Sequence, residues 1–202
     1  MRKDWEVIRN QKTINKKFKY SGTGLHTGRQ VNTTFLPSGP GTGIVFRRVD
    51  LDPVVEIPAR SEYIDRNEVK RNTTIVNGNA VIHTVEHILA AVAGLQIDNL
   101  IIEIDGEEPP EPKDGSVASL VGKFIDAGIK DQGEKIEYFK IVTPVAYQKD
   151  DVEIIVLPYD GFRVSFTIEY ENPHIGTQFL SIDVDPGVFT EEIAPALSLI
   201  HI

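Results

Sequence analysis

His83-Thr84-Val85-Glu86-His87-Ile88-Leu89-Ala90-Ala91-Val92 sets a carboxylate and an imidazole side by side at the head of an apolar stripe. Val85, Ile88, Leu89 and Val92 recur at i, i+3, i+4 and i+7, which predicts a helix over about 84–93, closed by Gly94. Glu86 and His87 lie off that stripe. The apolar run Leu100-Ile101-Ile102-Glu103-Ile104 follows and reads as a buried strand. A helix feeding a buried strand points to an α+β domain with helices laid on one face of a sheet.

The same segment suggests chemistry. A carboxylate beside an imidazole on one helix is how a metal-dependent hydrolase draws a base and a ligand from a single element. His83-x-x-Glu86-His87 also matches the inverted-zincin pattern H-x-x-E-H, in which both imidazoles bind zinc and the glutamate is the base. That pattern needs a later acidic ligand on a helix. Glu153 and Glu169 fall on strand-like segments, and Glu171, Glu191 and Glu192 have no metal context. A purely structural reading has His87 packing or capping against the sheet while Glu86 favours the helix dipole.

Upstream, Ile14, Phe18, Tyr20, Val31, Thr33 and Phe35 alternate loosely as two strands joined by the turn-rich Ser21-Gly22-Thr23-Gly24-Leu25-His26-Thr27-Gly28. A Gly/Pro loop over 38–43 precedes another strand over 43–48. Residues 52–78 hold short β-like pieces, 54–57 and 73–76, around a charged stretch, as in an insertion or edge ribbon. Arg47 and Arg48 are adjacent on a strand, so one must face away from the other, and a solvated edge explains them better than a diphosphate site. The spacing of Gly22, Gly24 and Gly28 misses the dinucleotide fingerprint by one residue.

Downstream, a Pro-rich loop over 109–112 leads to Asp114-Gly115-Ser116. Val117, Leu120, Val121, Phe124 and Ile125 then mark a second amphipathic helix, stopped at Gly128. Both helices should pack on one sheet. The polar run Asp131-Gln132-Gly133-Glu134 reads as a domain boundary. Strands follow near 137–147, 152–157, 162–170 and 179–184, then a short helix near 187–194 capped by Asp185 with Pro186 at its first position. Strands without covering helices leave a layer unfinished, so the second half reads as an incomplete domain.

The 202 residues are 41% hydrophobic and 25% charged, ordinary for a soluble globular chain. A formal charge of -9 argues against nucleic acid as a partner. With no cysteine there is no disulfide framework and no thiolate metal site, so any transition metal must rest on His, Asp or Glu. Arg2, Lys3, Lys16, Lys17 and Lys19 make the start basic in patches, but no signal-like apolar run follows and no segment approaches about 20 apolar residues. Asn32-Thr33-Thr34 and Asn72-Thr73-Thr74 fit a glycosylation pattern that matters only in a secreted chain. A cytoplasmic enzyme is the simpler expectation.

The run from Thr84 to Ala91 resembles the T-V-E-H helix of the zinc-dependent UDP-3-O-acyl-N-acetylglucosamine deacetylases of lipid A synthesis. Further blocks resemble the same family in its order: Gly22-Thr23-Gly24-Leu25-His26-Thr27-Gly28, the run 41–51 (Gly-Thr-Gly-Ile-Val-Phe-Arg-Arg-Val-Asp-Leu), Gly94-Leu95-Gln96-Ile97-Asp98-Asn99-Leu100, Asp114-Gly115-Ser116 and Glu192-Ile193-Ala194-Pro195-Ala196. Together they span about 13–196. The resemblance implies an α+β fold of two similar domains, each a sheet with two helices on one face, stacked as a layered sandwich of the ribosomal S5 domain 2-like type. The active site then lies between the domains. This chain would hold a first domain over 1–130, with a small β insertion near 52–78, and the start of a second over 135–196.

The resemblance further implies zinc as cofactor, His87 as a zinc ligand, Glu86 as the general base, and a UDP-linked, 3-O-acylated N-acetylglucosamine as substrate. It makes His83 no ligand, since the family is not restricted to histidine there. His26 would face the substrate, although a turn-stabilising histidine explains it as well. Asp114 would contact substrate polar groups, although it also serves as N-cap of the helix at Val117. The family's other two ligands, the His and Asp of an H-K-x-x-D helix, and its proton-donating histidine match nothing here; neither His174 nor His201 stands in such a context.

There are two departures. Leu197-Ser198-Leu199-Ile200-His201-Ile202 stands where the family continues with Arg-Thr-Phe, so we expect a carboxyl-terminal truncation, a non-family tail over 197–202 and an inactive fragment. Pro109-Pro110-Glu111-Pro112-Lys113 replaces an Ile-Pro-Ile-like run. The rival readings are an H-x-x-E-H metallopeptidase and a non-catalytic binding module on the same kind of fold.

Overall fold

A central sheet of five strands organises the protein, in the spatial order Phe18–Thr23, Gln30–Pro37, Leu100–Ile104, Ile44–Arg48 and Val55–Pro58. The computed structural model describes residues 9–66, 72–112, 114–150 and 152–198. Arg2, Lys3, part of the charged stretch near 67–71, Lys113 and the last four residues, including His201, lie outside the described residues. The elements in chain order begin with β1 (Asn10–Ile14), β2 (Phe18–Thr23), β3 (Gln30–Pro37), β4 (Ile44–Arg48) and β5 (Val55–Pro58). They continue with β6 (Ile75–Asn77), β7 (Ala80–Ile82), α1 (Glu86–Gly94), β8 (Leu100–Ile104), α2 (Ala118–Ala127) and β9 (Ile129–Lys135).

The apolar run at 100–104 is the middle strand. β8 pairs antiparallel with β3 and parallel with β4. Leu100, Ile102 and Ile104 are fully buried, while Ile101 and Glu103 on the opposite face are half-buried. Onto the buried face α1 brings Ile88, Ala91 and Val92, and α2 brings Leu120, Val121, Phe124 and Ala127. Phe18 of β2 stacks on Phe35 of β3 with ring centroids 4.7 Å apart, and Phe124 meets both edge-on at 5.0 Å. Between β6 and β7 the two-residue turn starts at Gly78 with φ 59, a conformation that favours glycine and matches the strand twist.

Several sequence expectations are corrected. α1 begins at Glu86, not at residue 84, because Thr84 takes φ 55, a left-handed conformation that cannot continue a right-handed helix. Arg48 is not on a solvated edge. Its strand lies between β8 and β5, and the side chain is 4% exposed, paired bidentately with Asp50 and donating to the Val81 carbonyl. The polar run at 131–134 is part of β9, which pairs with β1 from Ile14↔Ile129 to Asn10↔Lys135. Since β9 is exposed along nearly all its length, no two-residue apolar alternation announces it.

Beyond it, β10 (Val145–Lys149) pairs with β11 (Val152–Val156), and β12 (Arg163–Glu169) with β13 (Thr177–Asp183). The strand expected near 137–147 starts only at Val145. Both hairpins are exposed on both faces, including Phe166 and Phe179. Asp185 caps α3 (Pro186–Val188) by accepting from the Val188 N–H, with Pro186 in the first turn as expected. A wider π turn over Phe189–Ile193 follows. Phe189 and Ala194 then rejoin the core of α1 and α2. No described helix is long and apolar enough to cross a membrane.

Gly94 ends α1 with the Phe189 ring against its backbone, where a Cβ would overlap the ring. Gly94→Ala should therefore cost about 1–3 kcal/mol by overpacking, read from urea unfolding. In a Phe189→Ala background the same change should cost almost nothing.

Candidate functional site

The break at Thr84 separates His83 from the helix and turns its ring elsewhere. His83 Nδ1 lies 3.0 Å from the Thr74 hydroxyl, and its backbone N–H donates to the Glu107 carbonyl. Glu86 and His87 instead form the first turn of α1. Glu86 Oε2 accepts the Thr73 N–H at 2.8 Å, and Oε1 makes no bond among the described residues.

His87 is held at both ring nitrogens. Nδ1 lies 3.1 Å from Glu111 Oε2, and Nε2 lies 3.0 Å from the Ser198 hydroxyl. An ionised carboxylate only accepts, so Nδ1 carries the proton toward Glu111. Glu111 reaches this position because the buried Pro109, Pro110 and Pro112 stiffen its loop and its own N–H donates to the Thr23 carbonyl. Ser198 is brought by the segment after the π turn, its N–H donating to the Gly115 carbonyl. The Glu111 hydrogen bond pushes the His87 pKa above 6.5. Burial opposes this, and the charges of Glu111 and Glu86 add to it.

The glycine-framed loop closes on itself through Gly24 N–H to the Arg29 carbonyl and Gly28 N–H to the Gly24 carbonyl. His26 is exposed, and its ring makes no hydrogen bond among the described residues, so the imidazole is not what stabilises the turn. The backbone N–H groups of His26 and Thr27 donate to Glu108, which also accepts from the Thr84 hydroxyl. Burial raises the Glu108 pKa, but these backbone and hydroxyl donors together hold it below the usual range.

Asp114 is exposed and is not the N-cap of α2. It accepts from the Ser116 N–H and hydroxyl, and Ser116 Oγ in turn accepts from Ala118 N–H. These Ser116 bonds lower its pKa. The structure thus brings Glu86 and His87 to one helix head, with the His26 loop reaching it through residues 108–111, and leaves Asp114 on the turn before α2. Glu108, Glu111 and Ser198 escape sequence reasoning. The acidic Pro-rich run 107–112 hints at Glu108 and Glu111, but nothing local says whom they meet.

Among the described residues no group of three or more His, Asp or Glu is placed to hold a metal ion. His87 fits as a single donor: Glu111 takes Nδ1, and among the described residues Nε2 meets the neutral Ser198 hydroxyl.

A family model described as LpxC, UDP-3-O-acyl N-acetylglycosamine deacetylase, matches residues 11–200. Curated proteins named UDP-3-O-acyl-N-acetylglucosamine deacetylase are similar along nearly the whole chain. The one from Idiomarina loihiensis is 42% identical over 189 residues, and that from Pseudomonas entomophila 40% over 188. One from Saccharophagus degradans is 39% identical over 188 residues. Each alignment takes in 92% of this chain and 61% of the relative, so the chain spans about three-fifths of the length of the curated relatives it matches.

A raised imidazole pKa stabilises the fold below about pH 6.5, and that stability is lost as pH rises through the folded value. In the metal-free chain, NMR titration should place His87 above about 6.5, and Glu111→Gln should bring it down. Glu111→Gln should also remove part of the stability difference between pH 6 and pH 8.

Proposed function

The chain belongs to the UDP-3-O-acyl-N-acetylglycosamine deacetylase family, and from that premise we propose that it serves zinc-dependent hydrolysis of the N-acetyl amide of a UDP-linked, 3-O-acylated glucosamine. The observation that carries this reading is the head of α1. His87 has one nitrogen fixed by a carboxylate and the other turned away from it, and Glu86 beside it has one oxygen without a hydrogen bond among the described residues.

Bound zinc would polarise the amide carbonyl and bring the pKa of its water toward about 7. Glu111, accepting the Nδ1 proton, selects the His87 tautomer whose Nε2 lone pair serves as a metal donor. Glu86 Oε1 would serve as the proton acceptor for the attacking water, with the Thr73 N–H steadying Oε2. A catalytic zinc wants three protein ligands. His87 is one, and we assign the others, with the acid that protonates the leaving amine, to the part of the relatives' length outside this chain.

In this reading the two bare hairpins, β10–β11 and β12–β13, open the second unit of a ribosomal S5 domain 2-like sandwich. The exposed His26 ring and Asp114 are assigned to substrate contacts, and the setting is the cytoplasm, where nucleotide sugars are made. The metallopeptidase rival needs His83 and His87 a turn apart on one helix, and His83 precedes α1 with its ring on Thr74. A binding module would give no use to the Glu86 oxygen that makes no hydrogen bond among the described residues.

In the complete deacetylase carrying this stretch, His87→Ala should lose both zinc and turnover. Glu86→Gln should keep its zinc and slow turnover by about 10²–10⁴-fold. His83→Ala should leave zinc content unchanged. The 202-residue polypeptide should hold zinc weakly and show no deacetylation, measured as bound metal after dialysis and acetate released. Wild-type turnover by Glu86→Gln would refute the assignment of the base.

A further inference from the structure

We propose that Glu108 is a positioning residue that fixes where the His26 imidazole stands relative to the Glu86–His87 helix head. Its side chain is buried, the residue being 2% exposed. Oε1 accepts from the His26 N–H at 3.0 Å and the Thr84 hydroxyl at 3.0 Å, and Oε2 accepts from the His26 N–H at 3.0 Å and the Thr27 N–H at 2.8 Å. No cation accompanies it among the described residues. An ionised group this buried is costly unless donors surround it, and here they come from only two places.

One place is the glycine-framed loop that presents His26. The other is Thr84, whose φ of 55 ends the strand side and sets the start of α1 two residues before Glu86. The loop is already closed by its own Gly24–Arg29 and Gly28–Gly24 backbone bonds, so the carboxylate is not required to close the turn. What it adds is a link between the exposed imidazole of residue 26 and the helix, beginning at Glu86, that carries the proposed ligand and base.

Gly24 makes room for the link. A Cβ there would stand 2.6 Å from Glu108 Oε2 and 2.5 Å from Thr27 Oγ1. A second tie runs alongside: Glu111, which holds His87, donates its N–H to the Thr23 carbonyl of the same loop. Motion of the loop against α1 is therefore resisted at both ends of the segment 108–111. The consequence for chemistry is placement of substrate by His26, an inference that rests on the deacetylase reading.

The test is a double-mutant cycle in the complete deacetylase, with amide hydrogen exchange as an independent arm. Glu108→Gln keeps the shape but aims an NH2 group at N–H donors. It should raise KM about tenfold, change kcat less than about threefold, and leave bound zinc unchanged. In a His26→Ala background the same change should add less than about twofold to KM. If folding suffers, Thr84→Val removes one arm of the link and should move KM in the same direction by a smaller factor.

Equal loss of kcat/KM with and without His26 would mean a merely structural role and overturns the proposal. In the 202-residue chain Glu108→Gln should speed exchange at the His26 and Thr27 amides specifically, and unchanged protection there also overturns it. A wild-type enzyme without deacetylase activity sinks the functional reading instead, and the exchange result then decides whether the clamp exists.

Discussion

Thr84 sits between β7 and α1 with φ 55 and its hydroxyl on a buried carboxylate, and the polar groups of the site are arranged around the helix start that this residue imposes. A β-branched residue in that conformation carries strain of order 1–3 kcal/mol, which persists only where surroundings hold it. Here the Glu108 hydrogen bond and the burial of Thr84 and Val85 supply the restraint. By stopping the helix one residue short of Val85, the chain separates His83 from His87. It gives His83 to Thr74 and leaves Glu86 and His87 alone at the first turn, where a carboxylate also suits the helix dipole.

Around that turn the acidic run after β8 does two jobs with neighbouring glutamates. Glu108 turns inward to the His26 loop and Thr84, and Glu111 turns to His87. The prolines between and beside them have fixed φ and are buried, so the two carboxylates are set in different directions by a backbone that cannot easily relax. Charge-assisted hydrogen bonds of this kind contribute about 1.5–3 kcal/mol each, more than the neutral bonds that close the surrounding turns. The departure from an apolar Ile-Pro-Ile-like run thus has a structural meaning: it puts a carboxylate on the Nδ1 side of His87.

The sheet and its two helices form a finished core, whereas β10 to β13 carry large apolar residues on open faces. Between these extremes, the π turn at 189–193 returns the chain to α1 and seats Phe189 on the bare backbone of Gly94. That return carries Ser198 to His87, so the far end of the described chain and the head of α1 share one polar contact. Burial on one side and exposure on the other reflect where packing partners exist among the described residues.

Local pattern alone determined the apolar stripe of α1, the buried strand at 100–104, the amphipathic face of α2, and the Asp185-Pro186 start of α3. It also pointed to the family, through blocks in one order, and the family model over residues 11–200 and the curated relatives agree with that reading. These features are legible because side-chain periodicity and capping act over a few residues. Strand β9 was not legible, since polar residues on both faces of a ribbon leave no alternation to read. Nor was the burial of Arg48, which depends on Asp50 and on the Val81 carbonyl packed above it. Only the tertiary structure decided that α1 starts at Glu86, that Glu111 takes the Nδ1 proton of His87, and that Glu108 reaches back to residues 26 and 27. Each choice is made by a hydrogen-bond partner or steric neighbour distant in the chain, and no window of sequence contains both members of such a pair.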